Sequence, residues 1–263
     1  MAFNSSNNFN KRPQGKASGA HGIARVISKR GFCSRSQAEK LVREGCVTLN
    51  GRLVKDPDAP ARESDKITVN GVLVVANEKV YFMMNKPRGV VTTASDEKGR
   101  ETVMDVFSRQ FAKLYPGKPL PHIAPVGRLD AASEGLLLFT NDTEWANRIM
   151  EPTQNKSQHI KIYRVQTKGK PSEEDLRKME EGFNVPPRVF GEPEEFMHAR
   201  RATLHSEGEK NCWLEIHLDE GKNRQIRRML AHLGYEVLRL VRIQIDNFKL
   251  GDLKPGQICA IQL

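Results

Sequence analysis

The 263-residue sequence lacks several things, and each absence narrows what it can be. No stretch approaches the roughly 18 apolar residues that span a bilayer, so no membrane partner is expected. The N-terminus, MAFNSSNNFNKRPQGKASGAHG, has no apolar signal core, and a cytoplasmic protein is expected from it. The four cysteines, Cys33, Cys46, Cys212 and Cys259, form no CxxC pair, and no histidine stands at zinc-ligand spacing from them. They read as reduced, mostly buried thiols. There is no phosphate-cradling GxxxxGK loop and no usable internal repeat.

What the sequence has is positive charge, +10 in all with a pI of about 9.5, which favours a polyanionic partner. The charge is uneven. Residues 1–75 hold thirteen Lys/Arg against six Asp/Glu, a surplus of +7 that leaves +3 for the other 188 residues. An appendage that grips RNA phosphates would be built this way.

The organisation follows the composition. Residues 1–20 read as a disordered basic arm. Residues 21–75 read as a small module. It opens with a helix at 23–29 and a second helix at about 36–44, capped by Ser36 with Glu39 three residues on and ended by Gly45. Ala38, Leu41 and Val42 share one face of the second helix, and Arg35, Lys40 and Arg43 spread around the other. Two Asn-Gly turns, in VTLNGRLV at 47–54 and ITVNGVLV at 67–74, mark short hairpins. Residues 76–80 read as a linker. The remainder, 81–263, alternates strands and helices without a βαβ repeat, which predicts an α+β domain on a mostly antiparallel mixed sheet.

Three segments of that domain carry candidate chemistry. In HIAPVGRLDAASEGLLLFTND, at 122–142, a polar Gly-Arg-Leu-Asp turn precedes an apolar strand that would anchor it, with Gly135 allowing a close approach. Asp130 beside Arg128 fits a plain loop salt bridge as well as a reactive carboxylate, and Glu134 is close enough in sequence to suggest a two-carboxylate hydrolase. Lys161 and Tyr163 share one face of a strand, where a tyrosine is commonly core packing. In EGKNRQIRRMLAHLG, at 220–234, a helix from about Asn223 would gather Arg224, Arg227 and Arg228 opposite an apolar face. Such a cluster suits either solvent or an anion between the guanidiniums.

Taken together, Gly127-Arg128-Leu129-Asp130 with Ser133, Gly135 and Thr140-Asn141-Asp142, the turn Asn85-Lys86-Pro87-Arg88-Gly89, the strand Lys161-x-Tyr163 and the run from Glu220 to Met229 resemble the RsuA/RluB/RluF-type ribosomal RNA pseudouridine synthases. Residues 21–75 resemble the S-four-type (αL) RNA-binding domain that accompanies that family. They differ in reading Ser34-Arg35-Ser36 where Ser-Arg-Arg is usual, one cation fewer. The resemblance spans about 22–263. It implies isomerisation of uridine to pseudouridine in ribosomal RNA, without metal or cofactor, by a protein acting as a monomer on rRNA or a pre-ribosomal particle. It also implies residue roles. Asp130 would be the catalytic carboxylate, Arg227 its ion-pair partner, and Tyr163 the ring against the uracil. Arg128 would fill the gap left by a flipped nucleotide, and Leu240 would be an apolar pocket residue. Lys86, Arg88, Lys161, Arg224 and Arg228, with Arg35, Lys40 and Arg43, would face RNA. The run from Asn223 to Arg228 leans the substrate towards 23S rRNA. The alternative is a non-catalytic RNA-binding ribosome assembly factor, which has no need of Asp130, Tyr163 and Arg227 together.

Overall fold

The structure, a computed structural model, describes residues 19–93, 96–150, 159–189 and 191–263. Of the basic arm expected at 1–20, residues 1–18 lie outside the described residues. The chain forms two compact units that divide between Asn77 and Glu78.

The first unit opens with β1 (His21–Gly22), α1 (Ile23–Lys29) and α2 (Arg35–Arg43). A four-stranded antiparallel sheet follows, in the order β3 (Arg52–Val54), β2 (Val47–Leu49), β5 (Ile67–Val69) and β6 (Val72–Leu73), while β4 (Pro60–Ala61) pairs with β1. Both hairpins turn at Asn-Gly with positive φ at each residue, 51° and 81° at Asn50-Gly51 and 51° and 79° at Asn70-Gly71. This is the geometry that two-residue turns between twisted strands require. Ile23, Val26 and Ile27 of α1 close over Ala38 and Val42 of α2 and over Val47, Ile67 and Val69 of the sheet. The cap of α2 differs from expectation. Ser34, not Ser36, accepts from the Gln37 amide, and the Gln37 side chain returns to the Ser34 amide. Both serines satisfy the local rule. Capping at Ser34 shifts the helix one residue towards the N-terminus, to Arg35–Arg43, and lets Glu39 bond both Arg35 and Arg43, one turn away on either side.

The second unit contains β7 (Tyr81–Lys86), α3 (Val103–Leu114), β8 (Ala124–Val126), β9 (Glu134–Thr140), α4 (Thr143–Met150), β10 (Lys161–Lys168) and α5 (Glu173–Glu181). It continues with β11 (Phe183–Val185), β12 (Glu195–Met197), β13 (Arg201–Glu207), β14 (Asn211–Leu218), α6 (Gln225–His232), β15 (Glu236–Ile245), β16 (Phe248–Lys249) and β17 (Ile258–Ala260). One nine-stranded sheet runs β13-β14-β10-β15-β9-β7-β17, with β16 beside β15 and β8 beside β9. Every pairing is antiparallel except β15 with β9, where Val241 meets Glu134 and Arg242 meets Gly135. The two halves are packed differently. Val165, Leu214, Ile216 and Leu218 lie under Leu176 and Met179 of α5 and Ile226, Met229 and Leu230 of α6. In the other half β9 is buried on both faces, Leu137 and Phe139 against α3 and Leu136 and Leu138 against Trp145 of α4. A strand covered on both sides reads as a continuous apolar run, as GLLLF does. The apolar strand expected after the Gly-Arg-Leu-Asp turn is β9, and the strand expected to carry Lys161 and Tyr163 is β10. Helix α3, with its Thr102–Asp105 capping box, was not foreseen.

Candidate active site

The Gly127-Arg128-Leu129-Asp130 turn connects β8 to β9 at the point where β15 leaves the edge of β9. Its backbone is held carbonyl by carbonyl. Leu129 O accepts from Thr92 Oγ1 at 2.7 Å, Asp130 O from Ser133 N at 2.9 Å and Ala131 O from Gly89 N at 2.7 Å. Ala132 O accepts from Arg227 Nη2 at 3.0 Å, and Ser133 O from Lys86 Nζ at 2.9 Å. Five consecutive acceptors are thus satisfied by four residues from two other stretches of chain, Lys86, Gly89 and Thr92 in one and Arg227 in the other, and by Ser133 of the turn itself. That accounting fixes the direction in which Asp130 leaves the chain.

Lys86 therefore does not face RNA, as was expected of it. It is fully buried, with Nζ on Ser133 O and Pro87 O. Period two explains why, because on β7 it shares a face with Phe82 and Met84. Burial pulls its pKa down from 10.5 to about 8, while the charges of Asp130 and Glu134 pull the other way. The unfolded chain then binds more protons than the folded one between about pH 8 and 10.5, so stability rises with pH through that window. Below pH 8 the full penalty is present, on the order of 3 kcal/mol. In Lys86→Met this rise is expected to vanish, which urea unfolding of both proteins at pH 7.5 and 9.5 measures. An equal rise in both would contradict it.

The arginines of the third segment do not gather on one face. Helix α6 begins at Gln225, two residues later than expected, and Arg224 is its N-cap in left-handed conformation, φ 51°. This turns Arg224 towards the loop, where Nη1 stands 3.4 Å from Asp130 Oδ2. The contact to Asp130 is thus made by Arg224, and not by Arg227 as expected. Arg227 is half-buried and spans from Ala132 O to Val237 O of β15, clamping the loop to the sheet. Burial, and then Arg224, lower its pKa. Arg228 points elsewhere, to Glu195 at 2.6 Å and Pro186 O, so it is committed to packing β12 rather than to RNA.

Asp130 opens onto a cleft of about 850 Å³, a volume suited to a nucleotide. Its floor is built by β10 and β15. Tyr163, 8% exposed, and Leu240, 7% exposed, face into it with Lys161 and Arg242. Burial and the neighbouring Arg242 hold Lys161 below the usual lysine range. At the mouth, Arg128 and Arg224 line the cleft, and Arg88 is exposed beside the Gly89 anchor. The sequence reading assigned no role to three neighbours. Thr92 holds the loop, Arg242 lies in the floor, and His159, bonded through Nδ1 to Asp246, lines the wall. The alternation His159-Lys161-Tyr163 was the available signal for the last. A smaller cleft of about 380 Å³ on the opposite sheet face, by Arg164 and Trp213, contains none of these groups. Glu134 is locked to Arg239 by two bonds, at 3.1 and 2.8 Å, which removes the two-carboxylate hydrolase.

In the first unit Arg35, Lys40 and Arg43 are exposed, each within reach of a glutamate one turn away at 3.1 to 3.8 Å. Such surface pairs are weak and readily exchanged for phosphate. Among the described residues no helix is long and apolar enough to cross a membrane.

Residues 80–232 match the family described as RNA pseudouridylate synthase, and residues 22–67 match the S4 domain, so this chain belongs to the RNA pseudouridine synthases. Among its relatives, ribosomal large subunit pseudouridine synthase B of Bacillus subtilis (strain 168) is 37% identical over 235 residues, 89% of each protein. An uncharacterized RNA pseudouridine synthase of Aquifex aeolicus (strain VF5) is 35% identical over 89% of this chain and 88% of its own. A solved pseudouridylate synthase superposes with a TM-score of 0.56 at 30% identity, covering 92% of this chain and 96% of that one.

Proposed function

We propose that the protein converts a uridine of ribosomal RNA, in the large subunit, to pseudouridine with Asp130 as its catalytic carboxylate. The observation that carries this is the placement of Asp130, on a loop whose carbonyls from Leu129 to Ser133 are held, over a floor formed by Tyr163 and Leu240. The reaction breaks the N1–C1′ bond, turns the base and forms C5–C1′; the proton on C5 leaves and N1 gains one, so no oxidant is needed. Asp130 acts on the ribose, at C1′ as nucleophile or at C2′ as base. Tyr163 packs under the uracil and stands close to the C5 proton. The target bond is unreachable in a stacked helix, so the nucleotide must flip, and exposed Arg128 suits the space it vacates. Arg227 and Lys86 act through the loop they hold.

The first unit, with its surplus charge, supplies affinity for rRNA through Arg35, Lys40 and Arg43, and the catalytic unit adds Arg88, Arg128 and Arg224 at the mouth. The protein works as a monomer in the cytoplasm. The large-subunit assignment draws on the Bacillus subtilis relative's name, which states that substrate.

The test is incubation of the purified protein with unmodified 16S and 23S transcripts, followed by carbodiimide labelling and primer extension. One new stop in 23S is expected. A stop in 16S alone would overturn the large-subunit assignment. Binding without any stop, in transcripts and in pre-ribosomal particles, would favour the non-catalytic assembly factor.

A further inference from the structure

Arg242 is 4% exposed, yet no described carboxylate pairs with it. Its Nε donates to Leu136 O at 2.8 Å, and its buried Nη2 has no hydrogen-bond partner. An interior guanidinium normally has an anion or a full set of acceptors, because desolvating it otherwise costs too much. The group has little freedom to find one. Its backbone is fixed where β15 crosses β9, and its register partner on β10 is Tyr163. Arg242 lines the cleft floor with Tyr163 and Leu240, beside a second cation, Lys161, and its unpartnered Nη2 is packed just beneath that surface.

Such a donor awaits an acceptor that arrives with the substrate. A nucleotide offers phosphate oxygens and base carbonyls. Phosphates suit the mouth, where Arg88, Arg128 and Arg224 are open to solvent. The floor, apolar around Tyr163, Leu240 and Ile226, suits the base. We infer that the Arg242 guanidinium donates to a carbonyl oxygen of the flipped uracil, as a catalytic residue of the isomerisation. The inference rests on the cleft being the uridine site.

Two consequences follow from the chemistry of the base. When N1–C1′ breaks, the electron pair stays with the uracil and spreads onto O2 and O4. A buried cation at one of those oxygens strengthens its bond as that charge grows. The base then turns about the axis through N3 and C6, which exchanges O2 with O4. The position facing Arg242 holds a carbonyl oxygen both before and after, so one donor serves both halves of the reaction. Cytosine presents an amine in place of O4, a donor against a donor.

The experiment uses the full chain and an RNA fragment carrying the uridine that the wild-type protein modifies, under single-turnover conditions. R242M is expected to react about 100-fold more slowly at saturation. Its RNA affinity should stay within about 3-fold, with the salt dependence of binding unchanged. R242K should recover part of the rate. A phosphate contact would instead lower the salt slope by about one and leave the saturated rate intact, which overturns the inference. Fragments with 2-thiouridine or 4-thiouridine at the one position test the contact itself, since sulfur accepts poorly. One of them should slow the wild type about 10-fold and leave R242M, which has no donor there, nearly unaffected. Equal slowing in wild type and R242M would sink the idea. Cooperative urea unfolding of R242M separates a lost contact from a lost fold, with R242K as the variant that keeps a cation. If the wild type modifies no uridine, the reading of the cleft itself fails, and that is seen before any variant is made.

Discussion

Asp130→Asn is expected to lower turnover by more than about 10⁴-fold, the scale on which removing a reacting group acts. Asparagine keeps the size of the side chain and an acceptor for Arg224. The five carbonyl contacts of the loop involve only backbone atoms of residues 129–133, so they survive the change. RNA binding should therefore be nearly unaltered, because the cations at the mouth and in the first unit are untouched. Release of tritium from RNA labelled at C5 of uridine measures turnover directly, since that hydrogen leaves in the reaction. A filter-binding titration of the same variant measures affinity. Tritium release at even a hundredth of the wild-type rate would show that Asp130 is not the reacting carboxylate.

Gly135→Ala is the second large effect, and it acts on the fold of the site rather than on the reaction. Gly135 has φ 103° and lies against β15 at the parallel crossing. An added Cβ would sit 2.7 Å from Arg242 N and nearer still to its carbonyl oxygen, both of them backbone atoms that cannot swing aside. Overpacking and the unfavourable φ together should cost at least about 3 kcal/mol. Gly127→Ala is the control. Its φ is also positive, 76°, but nothing lies within 4 Å of the added carbon, so the strain alone remains, about 1 kcal/mol. Urea unfolding of the two variants beside the wild type checks the difference. Equal losses would mean that β15 can retreat from β9.

Much of this could be read from the residues because the deciding forces are local. Asn-Gly turns set their own backbone conformation, Ser172 caps α5, and the alternation in CWLEIHL places Cys212, Leu214, Ile216 and Leu218 inward. The Gly135 close approach was legible for the same reason. What was misread depends on partners distant in the chain. The Arg228 commitment is made by Glu195, 33 residues away, and the Arg227 clamp by Ala132, 95 residues away. The left-handed Arg224 has no local signature, since a bulky residue there is a consequence of where the loop must go. Lys86 is a different case. Its parity with Phe82 and Met84 was visible, but a lysine before a proline turn suggests solvent more strongly than two-residue periodicity suggests burial.

The crossing of β15 and β9 also bears on how the protein reaches its native state. Among the described residues the two halves of the large sheet are joined by only two register pairs, between residues more than a hundred positions apart. The hairpin β13-β14 and the antiparallel pair β7-β9 with α3 close shorter loops and gain their contacts early. The seam must close a long loop for little immediate return, so it forms late. Asp130, Tyr163 and Arg242 come together only at that seam. A chain caught before this closure would hold most of its secondary structure and not the cleft that Asp130, Tyr163 and Arg242 line. Rare opening of the seam in the finished protein would switch off activity without global unfolding, in the manner of a low-energy local unfolding unit.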